Sequence, residues 1–462
     1  MRNLAFFTRF RKNNKKDETM SIGLSQHFRY KTLLRFVFPS ICMMVFTSVY
    51  GVIDGLFVSN FAGNTQFAAL NLIYPFIMIL GAVGFMLGSG GSAIVARTMG
   101  EGDDEKARSY FTFIVLFTTL CGVVLSLVGI AVLPSVARLL RATEELYPYA
   151  VLYGKISLIG LPFFMLQSMF QTFFSTAEKA TLGFIVTVAA GMMNVVGDAV
   201  LVGACGCGIA GAAWATILSQ FVGSVIPVVY FFCKNSSRLR FTRTKFYGKV
   251  LLESCTNGSS EFVSNASSSL VGMLFNAQLL ALAGENGVSA YGVLMYVKFI
   301  YLAIFLGYAI GVAPVVGYHY GADNKPELKS LFKKSIILMS VSGIVMTILA
   351  ELLATPLSYL FVRADRDLFV MTRNAFFVYC LCFVFTGINV FGSSFFTALS
   401  NGKVSAIISF LRTVVFQVAC VLFLPKLLGV TGVWLSVVIA ELLSFLVTVV
   451  CFITYRKKYG YA

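Results

Sequence analysis

Charge is what this 462-residue chain has least of. Asp, Glu, Lys and Arg together make up 12% of it, about half the share found in soluble globular proteins. Hydrophobic residues make up 58%, and the mean hydropathy is +0.84. A soluble domain has no core large enough to hide that much apolar surface, so the composition places the chain in a membrane. Histidine is nearly missing, with His27 and His319 alone, and the ten cysteines are scattered through apolar runs without metal spacing. A histidine-based metal centre is therefore not expected, nor any structural metal or cofactor. The lack of a nucleophile and base at membrane depth argues against an enzyme. Cys205 and Cys207 share one turn, but so close a spacing suits packing better than a bridge. No signal-peptide cleavage pattern follows the basic N-terminal stretch.

What the chain has is a long internal repeat. Residues 221 positions apart match along most of its length: Ala62-Gly63 with Ala283-Gly284, Gly90 with Gly311, Gly100 with Gly321, Phe111 with Phe332, and Gly208-x-x-Gly211 with Gly429-x-x-Gly432. Phe173-Phe174 and Phe395-Phe396 match at an offset of 222, and the only two tryptophans, Trp214 and Trp434, follow the repeated glycine pairs. Tandem halves of this size are the mark of secondary transporters. Apolar windows of about 20 residues predict twelve helical spans, near 33–58, 66–92, 111–134, 148–173, 181–203, 209–232, 250–282, 288–318, 335–361, 371–399, 404–425 and 432–454. The expected fold is an all-α polytopic membrane protein of two six-helix repeats. An even number of spans makes the repeats parallel in the membrane. The divisions are an arm at 1–32, a first half at 33–232, a linker at 233–249, a second half at 250–455 and a tail at 456–462.

Basic residues orient this frame. Of 36 Lys and Arg, 26 fall in the arm, the tail and the loops after even-numbered spans, and six fall in the loops after odd-numbered ones. That asymmetry puts both termini and the linker in the cytoplasm. The net charge of +16 is then a topology signal and does not imply nucleic acid. The arm serves orientation, or alternatively touches anionic lipid.

Ionisable groups at membrane depth are costly and usually functional. The first half places Asp54 on its first span and Asp198 on its fifth, with Tyr50 and Asn194 one turn earlier on the same faces. Counting a rise of about 1.5 Å per residue sets Tyr153 and Thr216 at the same level in the outer half of the bundle. Such an oxygen-rich cluster suits a proton or a Na⁺ ion. Both aspartates lose their counterparts in the second half, where Phe275 and Ala419 stand at the repeat offset. Lys155 is either a competing counter-ion or a side chain that snorkels outward. The second half carries Glu261, Lys298, Arg412 and Glu441; Arg412 and Glu441 are expected to form a structural ion pair, with proton coupling or cation binding as the other reading.

Several stretches together resemble the multidrug and toxic compound extrusion (MATE) transporters, in the branch of bacterial members related to the DinF and NorM types. They are Ile53-Asp-Gly-Leu-Phe-Val-Ser-Asn60, Asn71-Leu-Ile-Tyr-Pro75, Gly90-x6-Arg97-x-x-Gly100, Asn194-x-x-x-Asp198, Gly211-Ala-Ala-Trp-Ala-Thr216, Gly258-Ser-Ser-Glu261, Gly317-Tyr-His-Tyr-Gly321, Leu411-Arg412 and Gly432-Val-Trp434 with Ala440-Glu441. The resemblance implies V-shaped lobes around a central cavity. It also implies an antiporter that exports small organic, cationic substrates from a bacterial cell (inner) membrane in exchange for Na⁺ or H⁺, working as a monomer. It maps a cation site onto Asp54, Asn194, Asp198 and Thr216, with Tyr50 and Tyr153 nearby, and a bending point in the first span onto Pro39. His319 stands where many relatives have Asn, and Ser268 where one branch has a glutamate. The alternative within the same superfamily is a flippase for lipid-linked precursors, which typically has two further spans.

Overall fold

A computed structural model describes residues 22–58, 61, 63–362 and 365–462, so the arm up to Ser21, and Ser59, Asn60, Ala62, Arg363 and Ala364, lie outside it. Every regular element in the described residues is helical. The helices are α1 (Tyr30–Phe57), α2 (Asn64–Gly100), α3 (Asp104–Leu139), α4 (Tyr147–Ile159), α5 (Leu161–Thr176), α6 (Ala180–Asp198) and α7 (Gly208–Phe232) in the first half. In the second they are α8 (Gly248–Gly321), α9 (Lys325–Val362), α10 (Arg366–Tyr379), α11 (Phe383–Ala398), α12 (Gly402–Phe410) and α13 (Gln417–Tyr459). Inside hydrocarbon only a helix or closed barrel satisfies every backbone group. Large apolar side chains such as Leu127, Leu352, Phe423 and Val450 stay exposed on the outer faces, where lipid covers them.

Among the described residues nine helices are long and apolar enough to cross a membrane, ten if α4 and α5, bent by 55°, count as one. The boundaries at 282/288 and 425/432 read from the sequence are not gaps. Helix runs through 74 residues of α8, and through 58 residues from Gly402 to Tyr459. Each is interrupted by one glycine off the helical path, Gly284 (φ 61°) and Gly429 (φ 57°). Only glycine takes that conformation without a Cβ penalty, and one such residue reverses the chain without a loop. Dividing the two elements there puts a break close to each of those two expected boundaries.

The bend between α4 and α5 follows from Pro162. Proline supplies no N–H to Leu158 O, four residues back; the Ser126 hydroxyl on α3 donates to that carbonyl instead, at 2.6 Å.

The duplication is written into the backbone as well as the sequence. Left-handed residues recur at the repeat offset: Gly63 with Gly284, Gly102 with Asp323, Glu178 with Ser400, and Gly208 with Gly429. The halves meet by equivalent contacts. A Cβ on Gly100 would lie 2.0 Å from Tyr318 O, and one on Gly321 would lie 2.0 Å from Arg97 O. Likewise Gly90 faces Ser254 O and Gly258 faces Met86 O, so backbones touch where a methyl group would separate them. These approaches lie toward the end of the bundle that carries the linker and the C-terminus, called here the basic end. There a short strap, residues 22–29, ties both halves. Leu24 N donates to Glu178 Oε1 at 2.8 Å and Phe28 N to Glu327 Oε1 at 2.8 Å. His27 Nδ1 pairs with Glu327 Oε2, and Lys334 Nζ donates to Phe28 O. Leu24 and Phe28 are fully buried.

Candidate functional site

The first-half cluster is assembled from α1, α4 and α6, with Tyr74 from about three turns into α2. Gly191 on α6 admits α1 closely: a Cβ there would meet Phe46 at 2.6 Å and Tyr50 at 2.9 Å. This close crossing brings Asp54, one turn after Tyr50, into contact with the side chains of Asp198 and Asn194. Asp198 is fully buried and Asn194 is 2% exposed. Neither oxygen of Asp198 nor Oδ1 of Asp54 and Asn194 receives a hydrogen bond from the described residues. No Lys or Arg pairs with either acid among the described residues; Lys155 is exposed on α4, which favours the outward-snorkelling reading. The helix beyond Asp198 widens into a π-helical turn, Ala199–Ala204, an irregularity frequent at functional sites.

Three tyrosines stand near the acids, Tyr153 buried and Tyr74 44% exposed. Tyr50, Tyr74 and Tyr153 all lie within electrostatic reach of Asp54. Tyr153 is brought there by the bend at Gly160-Leu161-Pro162, which reorients α4 relative to α5. Thr216 stands beside the cluster and is half-buried; its neighbour Ala215 packs against Gly197, but no hydrogen bond joins the threonine to the acids. The sequence reading missed Tyr74, which sits in the quoted Asn71-Leu-Ile-Tyr-Pro75 stretch. It also missed Gln167 on α5, 7% exposed, within hydrogen-bonding range of Tyr50 and with an unpartnered Nε2. Two amides one turn apart in an apolar span, Gln167 and Gln171, were the available signal. Pro39 lies on the same α1, which runs unbroken through it from Tyr30 to Phe57.

Charges in the second half are arranged differently. Arg412, in the π-helical turn Leu411–Phe416, donates from Nε to both Glu441 oxygens at 2.9 and 3.1 Å. Asn389 on α11 donates to Glu441 Oε2 at 2.7 Å and to Glu441 O at 2.9 Å, and accepts from Thr448 at 3.2 Å. Glu441 is 3% exposed and Asn389 fully buried, so this acid is closed in by donors. Lys298 lies within electrostatic reach of Glu441 and Arg412, and Glu261 within that of Arg412. Ser268 is exposed and hydrogen-bonded to its own helix at Asn265 O. His319 is 2% exposed at the basic end, beside Leu24 of the strap.

A family model, MatE, matches residues 39–200 and 262–422, most of both halves. The chain belongs to the MatE family. Among curated relatives of this MatE protein, the multidrug export protein MepA of Staphylococcus saprophyticus is 24% identical over 417 residues, covering 89% of this chain and 91% of that one. MepA of Staphylococcus haemolyticus is 23% identical over 414 residues, covering 89% and 90%. Among solved structures, an outward-facing multidrug resistance MATE transporter of the MOP superfamily superposes with a TM-score of 0.87 at 24% identity, covering 94% of this chain and 97% of that one. A MATE structure titled as the straight conformation gives 0.86 and one titled as the bent conformation 0.83, both at 24% identity; they cover 94% of this chain and 97% and 96% of theirs. These likenesses establish the fold: the membrane-embedded, all-helical architecture is that of the MATE transporters.

Proposed function

We propose that this protein is a secondary active antiporter that exports small organic, cationic compounds in exchange for a cation bound at Asp54 and Asp198. The observation that carries the reading is the meeting of the fully buried Asp198 with the half-buried Asp54 and with Asn194, with no basic side chain among the described residues to compensate the two carboxylates. Two carboxylates in contact cannot both stay charged in a low-dielectric setting unless a cation sits between them. A proton shared by the pair meets that need, and so does a Na⁺ held by the Asp54, Asp198 and Asn194 oxygens. MepA relatives are named as multidrug exporters, and that substrate class is adopted here.

The exchange follows from the packing. The halves touch backbone to backbone toward the basic end, which the Lys and Arg distribution assigns to the cytoplasm. The described form is then the one open to the outside, in a monomer of the cell membrane with both termini cytoplasmic. Cation binding changes only the α1–α6 contact. Pro39 removes one backbone donor from α1, so α1 is the element that bends most easily when Asp54 is drawn toward Asp198. If that bend narrows the substrate cavity, ion and drug bind in exchange, a coupling felt equally from either site.

The test is ethidium counterflow in proteoliposomes under an imposed pH gradient or an imposed Na⁺ gradient. Transport driven by one or both is the expected result, and it names the ion. Ethidium movement indifferent to both gradients, and equal in Asp198→Asn, sinks the antiport reading. Movement of a lipid-linked precursor in the absence of either gradient supports the flippase alternative.

A further inference from the structure

Outside the acid cluster, the basic end carries a groove of about 460 Å³ between the start of α3 and the linker. The linker is not a free loop. It runs back along α3 as an extended strip, held by Arg108 Nε to Arg238 O at 2.8 Å, Thr244 Oγ1 to Ser109 O at 2.8 Å and Thr242 N to Thr112 Oγ1 at 3.1 Å. The strip carries Arg240 and Arg243 with their side chains exposed, opposite Lys106 and Arg108. Residues 233–249 contain six Lys or Arg and no acid. Two acids also line the groove, Asp103, which accepts from Lys106 N, and Glu105, but the four basic residues Lys106, Arg108, Arg240 and Arg243 outnumber them; Asp104 at the rim is paired with Arg238 at 2.7 Å. The Thr242 hydroxyl, also lining it, is buried with no partner.

Immediately beyond this charge, the same strip turns apolar. Phe246 is 74% exposed and stands edge-on to Phe113 at 5.6 Å. Leu116 and Leu120, one and two turns further along α3, are 57% and 60% exposed. A soluble protein rarely leaves a phenylalanine so bare among cations. Beside a bilayer this is the profile of an interfacial anchor, with cations at headgroup level and an apolar track below.

We propose that the α3–linker groove is a binding site for one anionic phospholipid. The headgroup phosphate is held by Arg240, Arg243 and Lys106 with the Thr242 hydroxyl, and an acyl chain lies along Phe246, Leu116 and Leu120. A free phosphate uses only the charged part of this surface; the exposed apolar track continuous with it selects the lipid. The inference goes beyond the transport reading and does not depend on the acid cluster. A bound lipid clamps the linker, which joins the two halves, onto α3 of the first.

The experiment is native mass spectrometry of the detergent-purified full chain titrated with phosphatidylglycerol, phosphatidylcholine or soluble glycerophosphoglycerol. A single phosphatidylglycerol adduct is expected in preference to the other two. R240Q/R243Q weakens it by roughly 30-fold, since each basic residue near an anionic surface contributes about a fivefold factor. F246A weakens it without altering salt sensitivity, and K457Q/K458Q, changed elsewhere at the basic end, leaves it intact. Thermal midpoints without lipid show that each variant is folded. Equal retention of phosphatidylcholine overturns the proposal, as does equal loss in K457Q/K458Q. Binding of glycerophosphoglycerol as tight as that of the lipid reassigns the groove to a free anion and equally overturns it.

Discussion

The two halves descend from one unit, yet they treat the same interior positions in opposite ways. Asp54 in the first half corresponds to Phe275 in the second, which stacks on Tyr291 at 5.5 Å and through it on Trp434. The matching tryptophan of the first half, Trp214, is 46% exposed against 4% for Trp434. Gln167 and Asn389, 222 positions apart, are buried amides on matching helices. Gln167 keeps an unpartnered Nε2, whereas Asn389 is fully bonded to Glu441 and Thr448. One half keeps its polar atoms unsatisfied around two acids; the other fills the space with rings and closes its acid in with donors. Duplication supplied two equal scaffolds, and in the antiport proposed above the asymmetry between them separates a part that would respond to a cation from a part that holds its shape.

Removing Asp198 breaks that contrast most severely. Asp198→Asn is expected to abolish gradient-driven efflux of ethidium while leaving the thermal midpoint in detergent unchanged or higher, because a buried carboxylate without a donor costs stability. Wild-type efflux in this variant would show that the acids are structural after all. In the second half the order reverses. Arg412→Ala strands Glu441 and should lower stability by about 3–5 kcal/mol, and adding Glu441→Gln should return part of that loss. Unfolding of both singles and the double checks this; strict additivity would mean that the ion pair contributes nothing. A finer comparison uses the matched amides. Asn389→Leu removes a donor from a buried carboxylate and should cost about 1.5–3 kcal/mol. Gln167→Leu should cost under about 1 kcal/mol, its effect showing instead in transport. Equal losses at the two positions would erase the distinction.

Much of this was legible beforehand because it is periodic or chemical. The 221-residue offset and the apolar runs gave the helical frame, and acids in apolar helices stood out as costly. Arg412 and Glu441 could be paired because opposite charges in one bundle have few other solutions. The spans divided at Gly284 and Gly429 were expected to be separated by loops. A single left-handed glycine reverses the chain without the polar residues that mark a loop. Tyr74 looked like an ordinary aromatic before Pro75, and only the fold turns it toward Asp54. Asn389 and the strap were missed for a related reason: a lone amide and eight non-periodic residues carry no pattern, and their partners lie far away in sequence.

That distance has a consequence for how the chain is made. Leu24 finds Glu178 after 154 residues, but Phe28 waits for Glu327, 299 residues further on. At roughly 5–20 residues per second of synthesis, the second anchor emerges on the order of 15–60 seconds after the strap. Through that interval the first half can fold on its own, with the strap fastened at one side only. That second side is fastened as α9 begins, before α10 to α13 have been made, so the arrival of Glu327 ties the second half to a finished first half while the second is still being built.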